Sequence, residues 1–251
     1  MAKELEGFNF EQRHGKARVR VGRVWRSKDG CRHFMVEWNV NISLLSNCVA
    51  AYVRDDNSDI VATDTMKNTV YVKAKECSEQ LSAEEFAILL GKHFTSFYPQ
   101  VFTAIVKIVE KPWERISVNG QPHEHGFKLG SEKHTTEAIV QKSGVLQLTS
   151  GVEGLSLLKT TQSGFEGFIR DKYTALPETR ERMLATEVTA SWRFGDISSV
   201  KLKMPNIHFL PVNISSKDHG SIVKFNDDVY LPTDEPHGSI EASLSRFWSK
   251  M

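Results

Sequence analysis

The chain has 251 residues, of which 40% are hydrophobic and 25% are charged, and its formal net charge is +1. This composition is typical of a globular protein with one large or two smaller domains. The near-neutral charge argues against a general nucleic-acid binder, and no apolar run approaches the roughly 20 residues that a membrane-spanning helix needs.

The N-terminus and the cysteines favour a reducing compartment. Residues 1–10 lack the hydrophobic core of a secretion signal. Cys31, Cys48 and Cys77 form no CxxC pair, and three thiols cannot all be bridged within one chain. We therefore expect an intracellular protein with reduced cysteines.

Two strands joined by a tight turn are predicted near the start. Residues 16–26 alternate between two faces, with Arg18, Arg20 and Gly22 on one and Val19, Val21 and Arg23 on the other. Residues 32–45 form a half-buried strand, whose inward side chains are Phe34, Val36, Trp38, Val40 and Ile42. The turn between them, Ser27 to Gly30, contains Asp-Gly, which supplies the positive φ of a hairpin.

Two helices and two more strands follow. The pattern predicts helices over 64–76 and 83–97, the second preceded by Ser82 and ended by Tyr98-Pro99. Its apolar stripe consists of Phe86, Leu89, Leu90, His93, Phe94 and Phe97. Strands are predicted at 101–110 and 113–118, then a hairpin turn at Asn119-Gly120 and strand structure to about residue 129.

The second half of the chain partly repeats this plan. It predicts strands at 136–149 and 154–161, an irregular helical insertion at 166–185 around Pro177, and alternation from Glu187 to Phe194. Further strand patterns occupy 206–214, 221–231 and 238–246. The first half has a pair of helices at the corresponding place in its plan. In the second half there is room only for a short loop there, between Phe194 and Met204.

The most informative segment runs from Leu155 to Phe165 and on to Arg182. It combines an apolar strand, a turn of small hydroxyl residues, an aromatic ring and a downstream guanidinium. A ring to stack on and a planar set of donors could hold a flat, anionic heterocycle. Taken alone, such a Phe and Arg are more often core packing and a surface charge.

Three other blocks have both an ordinary and a functional interpretation. His14-Gly15-Lys16 precedes the first strand, where a lysine is usually a solvated charge. The block 61–69 contains Thr63 and Asp64 and would ordinarily begin a helix. Pro205-Asn206-Ile207-His208 places Asn206 and His208 on one strand face, where a histidine is usually structural.

These four blocks, taken in their order along the chain, resemble the urate oxidase (uricase) family. The resemblance implies an α+β fold of tandem tunnelling-fold (T-fold) units, in which antiparallel sheets carry helices outside and close a barrel by oligomerisation. It covers nearly the whole chain. The first unit would be 10–133 and the second 134–246, followed by a tail at 247–251.

The family pattern also implies roles for individual residues. Lys16 matches the catalytic lysine, which burial could turn into a general base. Thr63 would bind substrate and relay a proton, with Asp64 beside it and His208 completing the relay. The remaining substrate contacts would be Phe165 stacking on urate, Arg182 binding it bidentately and Asn206 lying over the ring.

The implied reaction is oxidation of urate by O₂ to 5-hydroxyisourate and H₂O₂, without a metal or other cofactor. No strong metal motif is present, since His123-Glu124-His125 and Cys31-Arg32-His33 lack further ligands at standard spacing. A homotetramer is implied, with active sites between subunits and no nucleic-acid or membrane partner. The terminal Ser249-Lys250-Met251 resembles a peroxisomal signal.

One departure from the family leaves an alternative open. Typical uricases carry two helices and a urate-binding glutamine in a segment between the positions of Phe194 and Met204. A splice variant, a gene-model error or a natural deletion would each remove it. The alternative to an active enzyme is therefore a catalytically impaired uricase-like chain that acts as a structural or assembly partner. A pterin or purine-derivative enzyme of the same fold is disfavoured, because neither a zinc site nor a glutamate anchor is placed here.

Overall fold

A computed structural model of the protein describes residue 10 and residues 12–195. The strands are β1 (His14–Arg26), β2 (His33–Ser46), β3 (Val101–Glu110), β4 (Trp113–Val118), β5 (Gln121–Leu129), β6 (Lys133–Gln141), β7 (Leu146–Lys159) and β8 (Leu184–Arg193). The helices are α1 (Ala50–Val53), α2 (Thr63–Glu76) and α3 (Ala83–Phe97). The predicted strands at 206–214, 221–231 and 238–246 and the predicted gap after Phe194 lie outside these residues.

The described chain divides into two compact units. The first consists of residues 12–155 and 189–195, and the second consists of residues 156–188. The first contains a sheet in the order β1-β2-β3-β6-β7-β8, with antiparallel pairing from β1 to β7. β8 belongs to this unit through its part from Thr189 onward. β4 and β5 form a separate two-stranded hairpin. The predicted domain boundary at 133/134 stays a prediction.

The predicted β1–β2 hairpin is confirmed. Its turn is closed by a 2.8 Å hydrogen bond from the Gly30 amide to the Ser27 carbonyl, and Gly30 has a φ of +75°. The inward residues of β2 alternate as predicted, with Trp38, Val40 and Leu44 fully buried. Alternation thus turns one face of the sheet into the core.

α3 begins and ends where the sequence predicts. Ser82 forms a capping box, accepting from the Glu85 amide at 3.2 Å while the Glu85 carboxylate accepts from the Ser82 amide at 2.9 Å. Phe86, Leu90 and Phe94 are fully buried against the sheet. The stripe is narrower than predicted, because Phe97 at the helix end is 67% exposed.

The core lies between α2, α3 and one face of the sheet. Trp38 stacks on Phe86 with ring centroids 4.5 Å apart, and Met66 and Val70 bring α2 into the same cluster. Burial of several such side chains, at about 1.5–3 kcal/mol each, supplies the main stabilisation of this unit. No helix of the described chain is long and apolar enough to cross a membrane.

Two sequence expectations for the second half are corrected. The strand predicted over 136–149 is two strands, because the chain turns at Gly144 (φ +93°) between β6 and β7. The segment 166–185 contains no helix and consists of turns and extended chain. Its order comes from cross-strand hydrogen bonds between Phe165 and Thr179 rather than from helical periodicity.

Candidate active site

Lys16 lies on β1 just before a bulge that reverses the direction of its side chain. Lys16 pairs with Ile42 and Val19 pairs with Val40, so two residues, Ala17 and Arg18, oppose Asn41 alone. Arg18 has a φ of +59°, in the left-handed region. With uninterrupted alternation, Lys16 would share the open face of Arg18. The bulge instead places it on the face of the buried Ile42, where α2 packs.

Close backbone packing precedes Lys16. A Cβ atom added at Gly15 would overlap the carbonyl oxygen of Ile42, so only glycine fits there without displacing the strand. His14, also on β1, is half-buried. Burial lowers the pKa of His14, and the nearby backbone of Val61 acts in the opposite direction. Both ring nitrogens of His14 are buried and make no hydrogen bond within the described part of the chain.

Thr63 and Asp64 form the first turn of α2, and both are exposed. The residue before them, Ala62, provides no side-chain cap, so the ordinary reading of Thr63 as the N-cap is replaced. The Thr63 hydroxyl makes no hydrogen bond to any residue in the described part of the chain. The helix therefore presents its first amide groups and a hydroxyl toward solvent, an arrangement suited to an anion.

Electrostatics place Lys16 near this helix start. The pKa of Asp64 is lowered first by a 2.7 Å hydrogen bond and ion pair with Lys67, then by Asn68, with a smaller contribution from the charge of Lys16. Asp64 thus binds its helical neighbours and stays ionised. Lys16 thus lies within electrostatic range of Asp64, the residue next to Thr63 in the first turn of α2.

Phe165 and Arg182 meet within the second unit. The Arg182 guanidinium carbon lies 5.5 Å from the centroid of the Phe165 ring, and Phe165 stacks on Phe168 with centroids 4.6 Å apart. The cation over the ring is a favourable contact. The predicted aromatic and cationic pair therefore exists as neighbouring side chains, although 17 positions separate them in the sequence.

Hydrogen bonds across this segment hold the pair. The Phe165 amide donates to the Thr179 carbonyl at 2.7 Å, and the Thr179 amide donates back at 3.2 Å. The Glu181 carboxylate accepts from the Thr161 hydroxyl and the Gln162 amide, both at 2.7 Å. These bonds lower the pKa of Glu181, and the bond from the Thr161 hydroxyl has the largest effect. They fix Arg182, the next residue along.

Asn206 and His208, the remaining predicted site residues, lie outside the described residues. Within residues 12–195 no group of three or more His, Cys, Asp or Glu side chains is placed to hold a metal ion. Cys31, Cys48 and Cys77 are free thiols. The sequence alone did not indicate Asn41 or the bulge, because hydrophobic alternation resumes at Val19 and conceals the extra residue.

Comparison with known proteins agrees with the family resemblance found in the sequence. The profile of a family described as Uricase matches residues 12–139 and 148–196. The chain is 66% identical to Uricase-2 isozyme 2 of Canavalia lineata over 303 aligned positions, covering 100% of both chains. It is 62% identical to Uricase of Arabidopsis thaliana over 310 positions, again covering 100% of both. Since this chain has 251 residues, both relatives contain positions that it lacks.

Solved structures show the same fold. Uricase from Arthrobacter globiformis matches with a TM-score of 0.63 and 38% identity, covering 76% of this chain and 64% of that chain. Urate oxidase from Bacillus sp. TB-90 matches with a TM-score of 0.59 and 27% identity, covering 72% and 67%. The chain thus spans slightly less than two thirds of the Arthrobacter chain. The predicted α+β fold of this family is confirmed.

Proposed function

The chain belongs to the uricase family, and we propose on that basis that it is a urate oxidase. The reaction consumes one urate, one O₂ and one water and yields one 5-hydroxyisourate and one H₂O₂. Two electrons pass from the purine to dioxygen, and protons complete the peroxide. A deprotonated, electron-rich urate can reduce O₂ directly, so the proposed reaction needs neither a metal nor an organic cofactor.

The observation that carries this proposal is the placement of Lys16 on the α2 side of the sheet. In the proposed relay, the exposed hydroxyl of Thr63 contacts urate and passes a proton toward Lys16, which acts as the general base. The uncapped start of α2 favours the urate anion that results. Asp64 is held by Lys67 and Asn68 and therefore contributes its backbone rather than its carboxylate.

The second part of the proposed site is the pair of Phe165 and Arg182. The ring of Phe165 offers a face on which a planar purine stacks. Arg182 offers several N–H donors in one plane, which match two adjacent acceptors on the edge of the purine. Together they would orient urate so that its reacting face is presented to dioxygen.

The complete site is proposed to form between subunits of a homotetramer. Lys16, Thr63 and Asp64 would come from one subunit. Phe165 and Arg182 would come from its neighbour, together with Asn206 over the ring at the oxygen position and His208 in the proton relay. A separated subunit would then be inactive even when folded.

The experiment is a urate oxidation assay of the purified chain. Loss of urate absorbance and formation of peroxide should occur in equal amounts. Lys16→Met and Thr63→Ala should each abolish turnover, whereas the matched controls Lys28→Met and Thr69→Ala should retain it. Size-exclusion chromatography reports the assembly. A soluble tetramer without turnover would contradict the proposal and would favour the impaired, structural role.

The peroxisomal location stays a prediction, because Ser249-Lys250-Met251 lies outside the described residues. An N-terminal fluorescent fusion tests it. Punctate colocalisation with a peroxisomal marker is expected for the complete sequence and should be lost after removal of the last three residues.

A further inference from the structure

We propose that Asn41 is a positioning residue for the urate oxidase reaction, because its side chain holds the β1 bulge that directs Lys16 toward α2. The inference rests on the proposed function for its catalytic consequence. Its structural content, the link between Asn41 and the direction of Lys16, can be measured without turnover.

The bulge needs an external hydrogen-bond acceptor. Two residues oppose one in a bulge, so the β-ladder leaves a backbone group without its regular partner. Here the Arg18 amide donates to the side-chain Oδ1 of Asn41 at 2.8 Å. No other side chain in the described part of the chain accepts from this amide.

The conformation at Arg18 adds a second reason. A φ of +59° is strained for a residue with a Cβ atom, and glycine is the usual occupant of such a bulge. Arginine at this position therefore opposes the bulge. The bond to Asn41 offsets that strain, and no glycine shares the task, since Gly15 precedes the bulge and Gly22 follows it.

The bulge has only discrete alternatives. If it were lost, regular pairing would continue from Val19 toward the start of β1, and Lys16 would move to the open face of the sheet. The Lys16 amine would then lie on the wrong side of the backbone relative to Thr63. A partial loss of the bond to Asn41 therefore changes the fraction of chains in which Lys16 is correctly directed.

The matched control is Asn39. It lies two residues before Asn41 on β2 and hence on the same face, and its pairing partner is Arg20, beyond the bulge. Its Oδ1 makes no hydrogen bond within residues 12–195. Replacement of Asn39 by leucine thus repeats the chemical change on the same strand without touching the Arg18 amide.

The experiment compares Asn41→Leu, Asn41→Asp and Asn39→Leu in the assembled protein. Reductive methylation followed by mass spectrometry measures labelling of Lys16 relative to Lys28, an exposed lysine in the β1–β2 turn. Asn41→Leu should change this ratio by at least about threefold and lower kcat by about 100-fold with little change in KM, as expected for a misplaced catalytic group. Asn41→Asp retains an acceptor and should resemble the parent, as should Asn39→Leu.

A second variant separates positioning from general destabilisation. In the double variant Asn41→Leu with Arg18→Gly, glycine adopts the left-handed conformation without strain, so the bulge should form without its acceptor. Both the labelling ratio and kcat should recover toward the parent values. This variant also serves if Asn41→Leu alone does not yield folded protein.

The inference is overturned if Asn41→Leu changes neither the Lys16 labelling ratio nor kcat, or changes them no more than Asn39→Leu does. It is also overturned if the double variant stays as impaired as Asn41→Leu. If the parent protein shows no turnover while the labelling ratio responds as described, the proposed function fails and the assignment of Asn41 stands.

Discussion

The buried Glu84 forms an ion pair with the half-buried His134, with Oε1 of the carboxylate 2.8 Å from Nε2 of the imidazole. Glu84 is 5% exposed. The same oxygen accepts from the hydroxyls of Ser150 at 2.6 Å and Thr136 at 3.1 Å. The pair joins the first turn of α3 to β6 and β7 within the first unit, so its protonation state is coupled to packing of the helix on the sheet.

This pair should make stability depend on pH. Burial by itself raises the pKa of Glu84, but the close imidazole of His134 and the hydroxyl of Ser150 outweigh it and lower the pKa from 4.5 to about 2. The pKa of His134 is raised, chiefly by its close contact with the Glu84 carboxylate. The Glu84 contribution is present above pH 4.5 and is lost as the pH falls toward 2. The His134 contribution is present below pH 6.5 and is lost as the pH rises through its folded pKa.

Urea unfolding at fixed protein concentration from pH 3 to pH 8 measures the effect. We expect the pair to contribute most between about pH 4.5 and 6.5. Glu84→Gln should lower the free energy of unfolding by about 3 kcal/mol at pH 6 and flatten the acid limb, because the half-buried imidazole of His134 loses its charged partner. Glu79→Gln, an exposed change in the preceding loop, is the control. Glu110 acts on the pH dependence of stability in the opposite direction to Glu84. Burial raises the pKa of Glu110, so its contribution to stability is lost as the pH rises through its folded pKa. An unchanged acid limb in Glu84→Gln would contradict the assignment.

Local signals predicted the elements whose ends are set by local chemistry. Ser82 and Tyr98-Pro99 fixed both ends of α3, and Asn119-Gly120 marked the hairpin turn, where both residues have positive φ. In each case a few neighbouring residues satisfy the backbone directly. Such features can be read without knowledge of the rest of the fold.

Long-range contacts account for what the sequence did not predict. Ala138, Val140 and Leu148 are all buried and all at even positions, so alternation continues across the turn between β6 and β7 and conceals it. The segment from Phe165 to Arg182 is ordered by hydrogen bonds between distant residues, which leave no periodic trace. The bulge before Val19 depends on Asn41, more than twenty positions away. The four-residue α1 is too short for a recognisable pattern.

The capping box of α3 should contribute measurably to stability. Ser82→Ala removes the acceptor of the Glu85 amide and should lower the free energy of unfolding by about 1 kcal/mol. Ser96→Ala, near the other end of the helix, is the control, because its exposed hydroxyl bonds only the His93 carbonyl. Denaturant midpoints of the two variants and the parent decide the matter. Equal midpoints would show that the cap is energetically neutral.

Gly91 allows α3 to approach β6 closely. A Cβ atom at this position would lie 3.0 Å from Cβ of Val140 and would clash with its Cγ2. An exposed helical Gly→Ala change usually stabilises by about 0.5–1 kcal/mol. Here overpacking should reverse the sign, and Gly91→Ala should destabilise by about 1–3 kcal/mol.

A double-mutant cycle with Val140→Ala tests that cause. Removing the two methyl groups should relieve the clash, so the two changes together should cost at least about 1 kcal/mol less than the sum of the single changes. Thermal or urea unfolding of the four proteins provides the values. Additive effects would mean that the helix adjusts elsewhere and that Val140 does not limit its approach.

Arg182 and Phe165 should govern urate affinity, given the proposed function. Arg182→Lys retains the positive charge but loses the planar set of donors, so urate binding should weaken by about 10- to 100-fold. Phe165→Leu retains apolar volume but loses the ring face and should weaken binding by about tenfold. Arg180→Lys is the matched control, since Arg180 lies two residues away, is exposed and pairs with Glu166 at 2.8 Å.

Calorimetric titration with urate under anaerobic conditions measures affinity without turnover, and steady-state kinetics in air then give KM and kcat. Should Arg182→Lys bind urate as tightly as Arg180→Lys, a bidentate contact from Arg182 would be ruled out and urate would have to be held by its charge alone.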